Sequence, residues 1–284
     1  MDISALLPGA IAAARESGAI ILSLYNSGSY HAEHKDDDSP VTSADFAAHN
    51  YLKQALSELA DIPVLSEEGC EVSLEERNSW PRYWLVDPLD GTQEFIAGSG
   101  DFSTMIALME YGVPVMGVVY GPVYDLLYYA VRGQGAFKQA HNQPIEKITA
   151  SHYRNFDNLT KLRITISRRQ NVDWVRNRLS TALDYELVPL GSSSLKSCLV
   201  AEGGADIYMR IGPTGEWDTG ATQCIVEEAG GKILDLYLAP LSYNERDTLI
   251  NPNFITMGDP GLPWAKILTN PSGKVVEHTG SDSE

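Results

Sequence analysis

Positive charge is scarce in this sequence. Its 284 residues carry 21 Lys and Arg against 38 Asp and Glu, a formal net charge of −17 at pH 7. That field repels a phosphate backbone and argues against binding a nucleic-acid polymer. A small phosphorylated substrate stays open only if bound cations invert the local field. Cysteine is nearly absent: Cys70, Cys198 and Cys224 are an odd number without metal-site spacing, and they read as reduced thiols of a cytoplasmic protein. No apolar run reaches the roughly 18–20 residues of an integral membrane segment. No basic stretch precedes the apolar N-terminal residues, as a secretory signal would require. Internal repeats and low-complexity linkers are missing as well. The remainder, 43% hydrophobic and 21% charged, suits a globular protein able to bury a large core in one domain or two joined lobes.

The densest chemistry lies in Trp84-Leu85-Val86-Asp87-Pro88-Leu89-Asp90-Gly91-Thr92. The apolar part predicts a buried strand that Pro88 and Gly91 end in a turn. Carboxylates at a strand end face the crevice where α/β sheets bind ligands. Pro88 fixes the backbone so that the Leu89 carbonyl can point with Asp87 and Asp90. Two carboxylates and a carbonyl form a hard-oxygen set suited to Mg²⁺ rather than Zn²⁺. Gly91 and Thr92 then open a short helix over 93–96, whose free N–H groups can cradle a phosphate. Taken singly, Asp87 and Asp90 are equally readable as turn residues.

Helical spacing predicts a helix over residues 2–26, stopped by Asn26-Ser27-Gly28, and a second from Thr42 or Ser43 to about Leu59. Asp45 falls in the first turn of the second helix, where capping alone would explain it. The polar segment from His31 to Ser39, with Asp36-Asp37-Asp38, reads as a solvated loop. A short strand at Val64-Leu65 leads to Glu67 and Glu68, which are surface charge in isolation and ligand or base candidates beside a carboxylate cluster. Apolar runs at 104–109, 113–120 and 126–131, with 135–138 at the edge, predict an antiparallel meander. From about residue 160 strands and helices alternate: strands at 162–167, 186–190, 206–209 and 232–234, helices at 172–183, 194–202 and 217–229. A shift of composition near 150–160 divides the chain into lobes 1–160 and 161–284, with a polar tail at 280–284. The second lobe adds Asp218, metal ligand or plain helix cap. It also adds Gly191, Ser192, Ser193 and Lys196 at a strand-to-helix turn with phosphate-binding features, and Arg210 as a further anion contact or a surface cation.

These pieces together resemble the lithium-sensitive, Mg²⁺-dependent phosphatases of the inositol monophosphatase superfamily. The resemblance is carried by Asp45 in Pro40-Val41-Thr42-Ser43-Ala44-Asp45, by Ser66-Glu67-Glu68, by the 87–92 string and by Trp217-Asp218, in matching order and spacing. Within the superfamily the chain is most similar to the CysQ-type 3'(2'),5'-bisphosphate nucleotidases. That similarity rests on Glu94-Phe95 after the string, Gly191-Ser192-Ser193 with Leu195-Lys196, the 199–203 segment and Gly212-Pro213-Thr214. It extends from about residue 5 to residue 257. Departures are Gln93 in place of a common lysine, Arg169 in place of a serine, the extra Ser194 and an extension from Gly258.

The resemblance implies an α+β fold, a layered αβαβα sandwich with the active site between the lobes. It implies removal of the 3'-phosphate of adenosine 3',5'-bisphosphate, or of its 5'-phosphosulfate analogue, to serve sulfur assimilation and nucleotide recycling. Glu67, Asp87 and the Leu89 carbonyl would hold one Mg²⁺, and Asp87, Asp90 and Asp218 a second, with a third ion near Glu67 common in the family. Glu67, and Thr92 paired with Asp45, would activate a water for in-line attack, while Gly91 and Thr92 bind the phosphate. The segment 191–196 and Arg210 would set substrate choice. The resemblance also allows peripheral association with the inner membrane, and oligomeric state is not readable. A haloacid-dehalogenase-type phosphatase is excluded because the spacing is Asp-x-x-Asp, not Asp-x-Asp-x-Thr. An inositol monophosphatase and a catalytically silent binding protein are the alternatives.

Overall fold

The described residues of the computed structural model are 2–35, 39–153, 159–168 and 170–269; the acidic run 36–38, Arg169 and the tail 280–284 lie outside them. A 3-10 turn over Ile3–Leu6 leads into helix α1 (Leu7–Ser27). Pro8 sits in its first turn, where a missing N–H costs nothing, and Gly28 closes it in the left-handed region at φ +63°. Ala10, Ala13, Ala14, Ser17, Gly18 and Ile21 recur at three- and four-residue steps and form the buried face. The stretch Ile3–Ser27, mean hydropathy 1.4, is long and apolar enough to cross a membrane even though Arg15 and Glu16 interrupt it. Here that face packs on helix α2 (Ser43–Leu59) and on a sheet. A capping box between Thr42 and Asp45 starts α2.

Strands β1 (Ala32–His34) and β2 (Pro40–Thr42) form a small antiparallel pair. The large sheet orders β3 (Val64–Ser66), β4 (Arg82–Asp90), β5 (Ser103–Glu110), β6 (Val113–Gly121), β7 (Leu126–Val131), β8 (Gly135–Gln139) and β9 (Glu146–Ile148) in sequence; only β3 and β4 run parallel. Between β3 and β5 lie the short helices α3 (Leu74–Asn78) and α4 (Thr92–Ile96). The second sheet has the order β11-β10-β12-β14-β13. Its strands are β10 (Lys161–Ile166), β11 (Asp184–Pro189), β12 (Ile207–Arg210), β13 (Lys232–Asp235) and β14 (Phe254–Met257), with β10 parallel to both β11 and β12. Helices α5 (Val172–Arg176), α6 (Ser193–Ala201), α7 (Trp217–Glu228) and α8 (Trp264–Ile267) complete the chain.

Strand alternation builds five layers. Trp84, Val86, Ile106, Leu108, Met116 and Val118 face α1 and α2. Tyr83, Leu85, Met105, Ala107, Met109 and Val119 face α6 and α7, sharing a core with Tyr208 and Phe254 of the second sheet. Ile207 and Met209 point the other way, onto α5 and α8. The result is the αβαβα sandwich expected from the sequence.

Three local expectations change. The helix expected over 172–183 stops at Arg176, because the following backbone pairs with the C-terminal segment: Ser180 N–H donates to the Ile267 carbonyl and Thr269 N–H to the Arg178 carbonyl. Strand β14 and edge strand β9 were not expected. The four-residue run of β14 is buried on both faces, so it has no period-2 signal, and it is a strand because β12 and β13 flank it. Strand β4 does not end at Pro88 but runs to Asp90.

Candidate active site

The continuation of β4 decides where its carboxylates point. Residues three apart on a regular strand face opposite sides. Asp87 pairs with Met105 and Asp90 with Ser103, so four residues of β4 span three of β5. This bulge inserts one residue and turns Asp90 onto the α6–α7 side with Asp87. Leu89 goes to the other side, into a cluster with Ile21, Phe95 and Phe102. The parallel neighbour β3 ends opposite Val86, so Pro88 removes no ladder hydrogen bond there. Gly91, at φ +93°, then starts α4, where a Cβ would lie 3.0 Å from the Asp101 carbonyl.

Asp218 arrives from the start of α7, packed against the same sheet, and accepts a 2.7 Å hydrogen bond from Gly215 N–H. Asp87, Asp90 and Asp218 each bring one carboxylate oxygen within 4.8 Å of the others. Burial, and then the negative charges of Glu67, Asp90, Asp218 and Asp45, push Asp87 well above the usual carboxylate range. Asp218 is pushed up to about 8 by burial, then by Asp90 and Glu67. Burial and mutual repulsion disfavour the ionised forms of Asp87 and Asp218, and a cation among the oxygens would offset both. Their all-oxygen donor set fits a hard divalent ion.

Thr92 Oγ1 donates to Asp45 Oδ1 at 3.0 Å and lies 3.2 Å from the Leu89 carbonyl. Asp45 Oδ2 accepts from Thr42 N–H at 2.7 Å and from Thr42 Oγ1 at 2.6 Å, and burial raises its pKa despite these donors. Asp45 therefore caps α2 and holds Thr92 at once. Its second carboxylate oxygen separates those two jobs.

Asp90 does more than the sequence suggests. Its Oδ2 accepts from Ser192 Oγ, from Ser194 N–H at 2.8 Å and from Ser194 Oγ at 2.6 Å, while Oδ1 lies 3.2 Å from Ser193 N–H. A carboxylate of β4 thus caps α6. Gly191 packs against the α4–β5 loop so closely that a Cβ would sit 2.5 Å from Asp101 Cβ.

A model of the "Inositol monophosphatase family" matches residues 2–259. The chain belongs to the inositol monophosphatase family. Among similar members, a "3'(2'),5'-bisphosphate nucleotidase CysQ" from Haemophilus influenzae is 42% identical over 259 residues, 88% of this chain and 95% of that protein. One of the same name from Salmonella typhimurium is 43% identical over 244 residues, 85% of this chain and 95% of that protein. The crystal structure of CysQ from Bacteroides thetaiotaomicron, "a bacterial member of the inositol monophosphatase family", superposes with a TM-score of 0.73 at 37% identity, covering 88% of this chain and 96% of that one.

Other residues of this family member sit differently from their sequence reading. Glu67 lies in the 3-10 turn Glu67–Gly69, outside the close carboxylate trio. Lys35 Nζ is 2.7 Å from both Glu67 Oε1 and Glu68 Oε1. Burial nevertheless lifts Glu67 to about 7, and its charge is felt at Asp87 and Asp218. Lys196 turns inward: Nζ donates to the Ser192 carbonyl at 2.5 Å and lies 5.0 Å from the Tyr208 ring centre, and burial lowers its pKa to about 8. Ser193 Oγ is 3.1 Å from Tyr208 OH. Arg210 holds the Pro213 carbonyl at 3.1 Å, and its Nε is buried with no partner among the described residues.

Four neighbours escaped the sequence reading: Lys35, Asp101, Arg168 and Ser194. Ser194 is visible in sequence only as an extra serine. Lys35 lies in a polar loop with nothing to mark it. Asp101 and Arg168 stand outside the motifs and 67 residues apart, and only the fold brings them together at the site.

Proposed function

We propose that this protein is a divalent-metal-dependent 3'(2'),5'-bisphosphate nucleotidase that converts adenosine 3',5'-bisphosphate to AMP and phosphate. The observation that carries this reading is the convergence of Asp87, Asp90 and Asp218, from two lobes, beside Thr92 and the first turn of α4. The names of relatives above 40% identity support the substrate class.

Asp87, Asp90 and Asp218 are proposed to hold one Mg²⁺, and Glu67, Asp87 and the Leu89 carbonyl a second. When bound, these ions supply the positive charge that the transferring phosphoryl group and its attacking water require. The chain's own part is positioning and proton movement. Gly91 and Thr92 N–H groups bind the phosphate at the open first turn of α4. Thr92 Oγ1 donates to Asp45 and keeps a lone pair for the attacking water. As the water oxygen bonds to phosphorus, its proton passes to Thr92, and Thr92 gives its own to Asp45. The bond from phosphorus to the 3'-oxygen breaks, that oxygen takes a proton from solvent water, and Asp45 returns its proton to solvent. Glu67 helps to orient the attacking water.

Residues 1–160 and 161–284 form the two lobes of this cleft in our reading. Gly191, Ser192, Ser193 and Arg210 contact the retained 5'-phosphate and nucleoside. Lys196 acts through the Ser192 carbonyl, fixing the turn and lending it charge. All three cysteines are free thiols, in keeping with a cytoplasmic setting.

Phosphate release with Mg²⁺ is measured on adenosine 3',5'-bisphosphate, inositol 1-phosphate and fructose 1,6-bisphosphate. We expect the nucleotide to be turned over with the highest kcat/KM. Activity confined to inositol 1-phosphate would make the protein an inositol monophosphatase instead.

A further inference from the structure

Asp101 lies in the loop between α4 and β5 and has no place in the chemistry above, yet its carboxylate is a junction of the two lobes. Its side chain is 2% exposed. Oδ2 accepts from Arg168 Nη1 and, at 2.8 Å, from Gly191 N–H; Oδ1 accepts from Tyr124 OH at 3.1 Å. Arg168 follows β10 in the second lobe and also faces Glu94 Oε2 of α4 at 3.6 Å. Glu94 is held in turn by Ser99 Oγ at 2.6 Å. The space between Gly191 and this pair is closed, since a Cβ on Gly191 would lie 2.8 Å from Glu94 Cγ as well as against Asp101. One buried carboxylate therefore fixes where the substrate-binding turn begins relative to α4.

The two ends of that turn are tied to different anchors. Ser192, Ser193 and Ser194 are held by Asp90, and Ser194 Oγ also meets Ser103 Oγ at 2.6 Å. The Gly191 end depends on Asp101, and Asp101 on Arg168. Loosening the second anchor leaves the Asp90 end, and the metal carboxylates with it, in place.

We propose that Asp101 and Arg168 are positioning residues for substrate choice: they set the Gly191 end of the turn that receives the retained 5'-phosphate of the nucleotide. The inference rests on the nucleotidase reading above. Removing the guanidinium leaves the Asp101 charge buried beside a single backbone donor and a phenol, so Asp101 turns toward water and the Gly191 end follows.

The test compares Arg168→Ala, Arg168→Lys and Asp101→Asn with the wild type on adenosine 3',5'-bisphosphate and on adenosine 3'-monophosphate, which lacks the 5'-phosphate. AMP binding is measured by calorimetry. We expect Arg168→Ala and Asp101→Asn to raise the bisphosphate KM and the AMP Kd about tenfold, the worth of a charge-assisted hydrogen bond. The kcat and the monophosphate KM should stay within about twofold, and Arg168→Lys, which keeps the charge, should recover part of the loss. Equal effects on both substrates, a fall in kcat alone, or unchanged constants in a folded variant overturn the assignment. Wild-type protein inactive on both nucleotides overturns the nucleotidase reading and this inference with it. An active wild type with unaltered variants overturns this inference alone.

Discussion

At the level of single residues, the site is built from side chains that each hold two things. Asp90 is the sharpest case, since its carboxylate belongs to the acidic cluster and caps α6. Asp90→Asn puts an amide where three serines donate. Turnover should fall by at least ~100-fold, from the loss of one charged ligand. Stability should drop by about 1 kcal/mol from the damaged cap. Phosphate release and thermal melting check the two parts separately, and near-normal turnover would reduce Asp90 to a turn residue. His49 is a quieter example. It is buried on α2, with Nδ1 2.8 Å from Ser66 Oγ, directly before Glu67. Burial, and then Lys53, lower its pKa below 6.5. As pH falls below that value the unfolded chain takes up the proton first, so the folded state loses stability as pH decreases. The urea midpoint of the wild type should therefore fall further than that of His49→Gln between about pH 7.5 and pH 5.5. Parallel curves would mean His49 is not held neutral.

At the level of elements, the bulge in β4 and the approach of α7 to the large sheet aim the cluster. The strands β4 and β5 themselves are plain in the sequence as apolar runs. The bulge is not, because Pro88 and Gly91 read equally well as the end of the strand. α7 reaches β6 at Gly117, where a Cβ would lie 2.1 Å from the Ala221 carbonyl. Gly117→Ala must push α7, and Asp218 with it, off the sheet. We expect a loss of about 1–3 kcal/mol in chemical denaturation, the usual cost of overpacking, with a fall in kcat. A variant of unchanged stability and activity would mean that α7 has slack against the sheet. α5 teaches the converse: its helical spacing runs past Arg176, but pairing with 267–269 wins over local preference.

At the level of the whole molecule, the two sheets share one apolar core, and the junction of α3 with the 244–247 segment beside it is polar. Arg77 of α3 is 1% exposed and donates to Asn244 Oδ1 at 2.6 Å and to the Arg246 and Asp247 carbonyls at 3.1 Å. Arg77→Ala would strand the buried Asn244 acceptor and loosen two part-buried carbonyls, and should cost about 2–4 kcal/mol in urea denaturation. A change under about 0.5 kcal/mol would show that the junction does not depend on this residue. The charge balance makes a second expectation. A protein of net charge −17 with three crowded carboxylates needs cations both to fold tightly and to take an anionic substrate. Chelation should abolish phosphate release and lower Tm, and Mg²⁺ should restore both. Activity that survives chelation would remove the metal from the reading.

The sequence by itself pointed to the candidate chemistry. Asp87, Asp90, Thr92, Asp45, Glu67 and Asp218 are legible as candidates because their type and spacing sit beside strand ends and helix starts, which are local signals. Most strands and helices are legible too, since apolar runs and helical spacing are properties of consecutive residues, and the family resemblance carried by those motifs implied the layers. Tertiary structure alone decided which oxygens face one another and what holds the substrate wall. A one-residue bulge turned Asp90 to the side of Asp218. The meeting of Asp101 with Arg168 and Gly191 joins residues far apart in the chain. No local pattern encodes such contacts, because they follow from how the two sheets pack across α6 and α7.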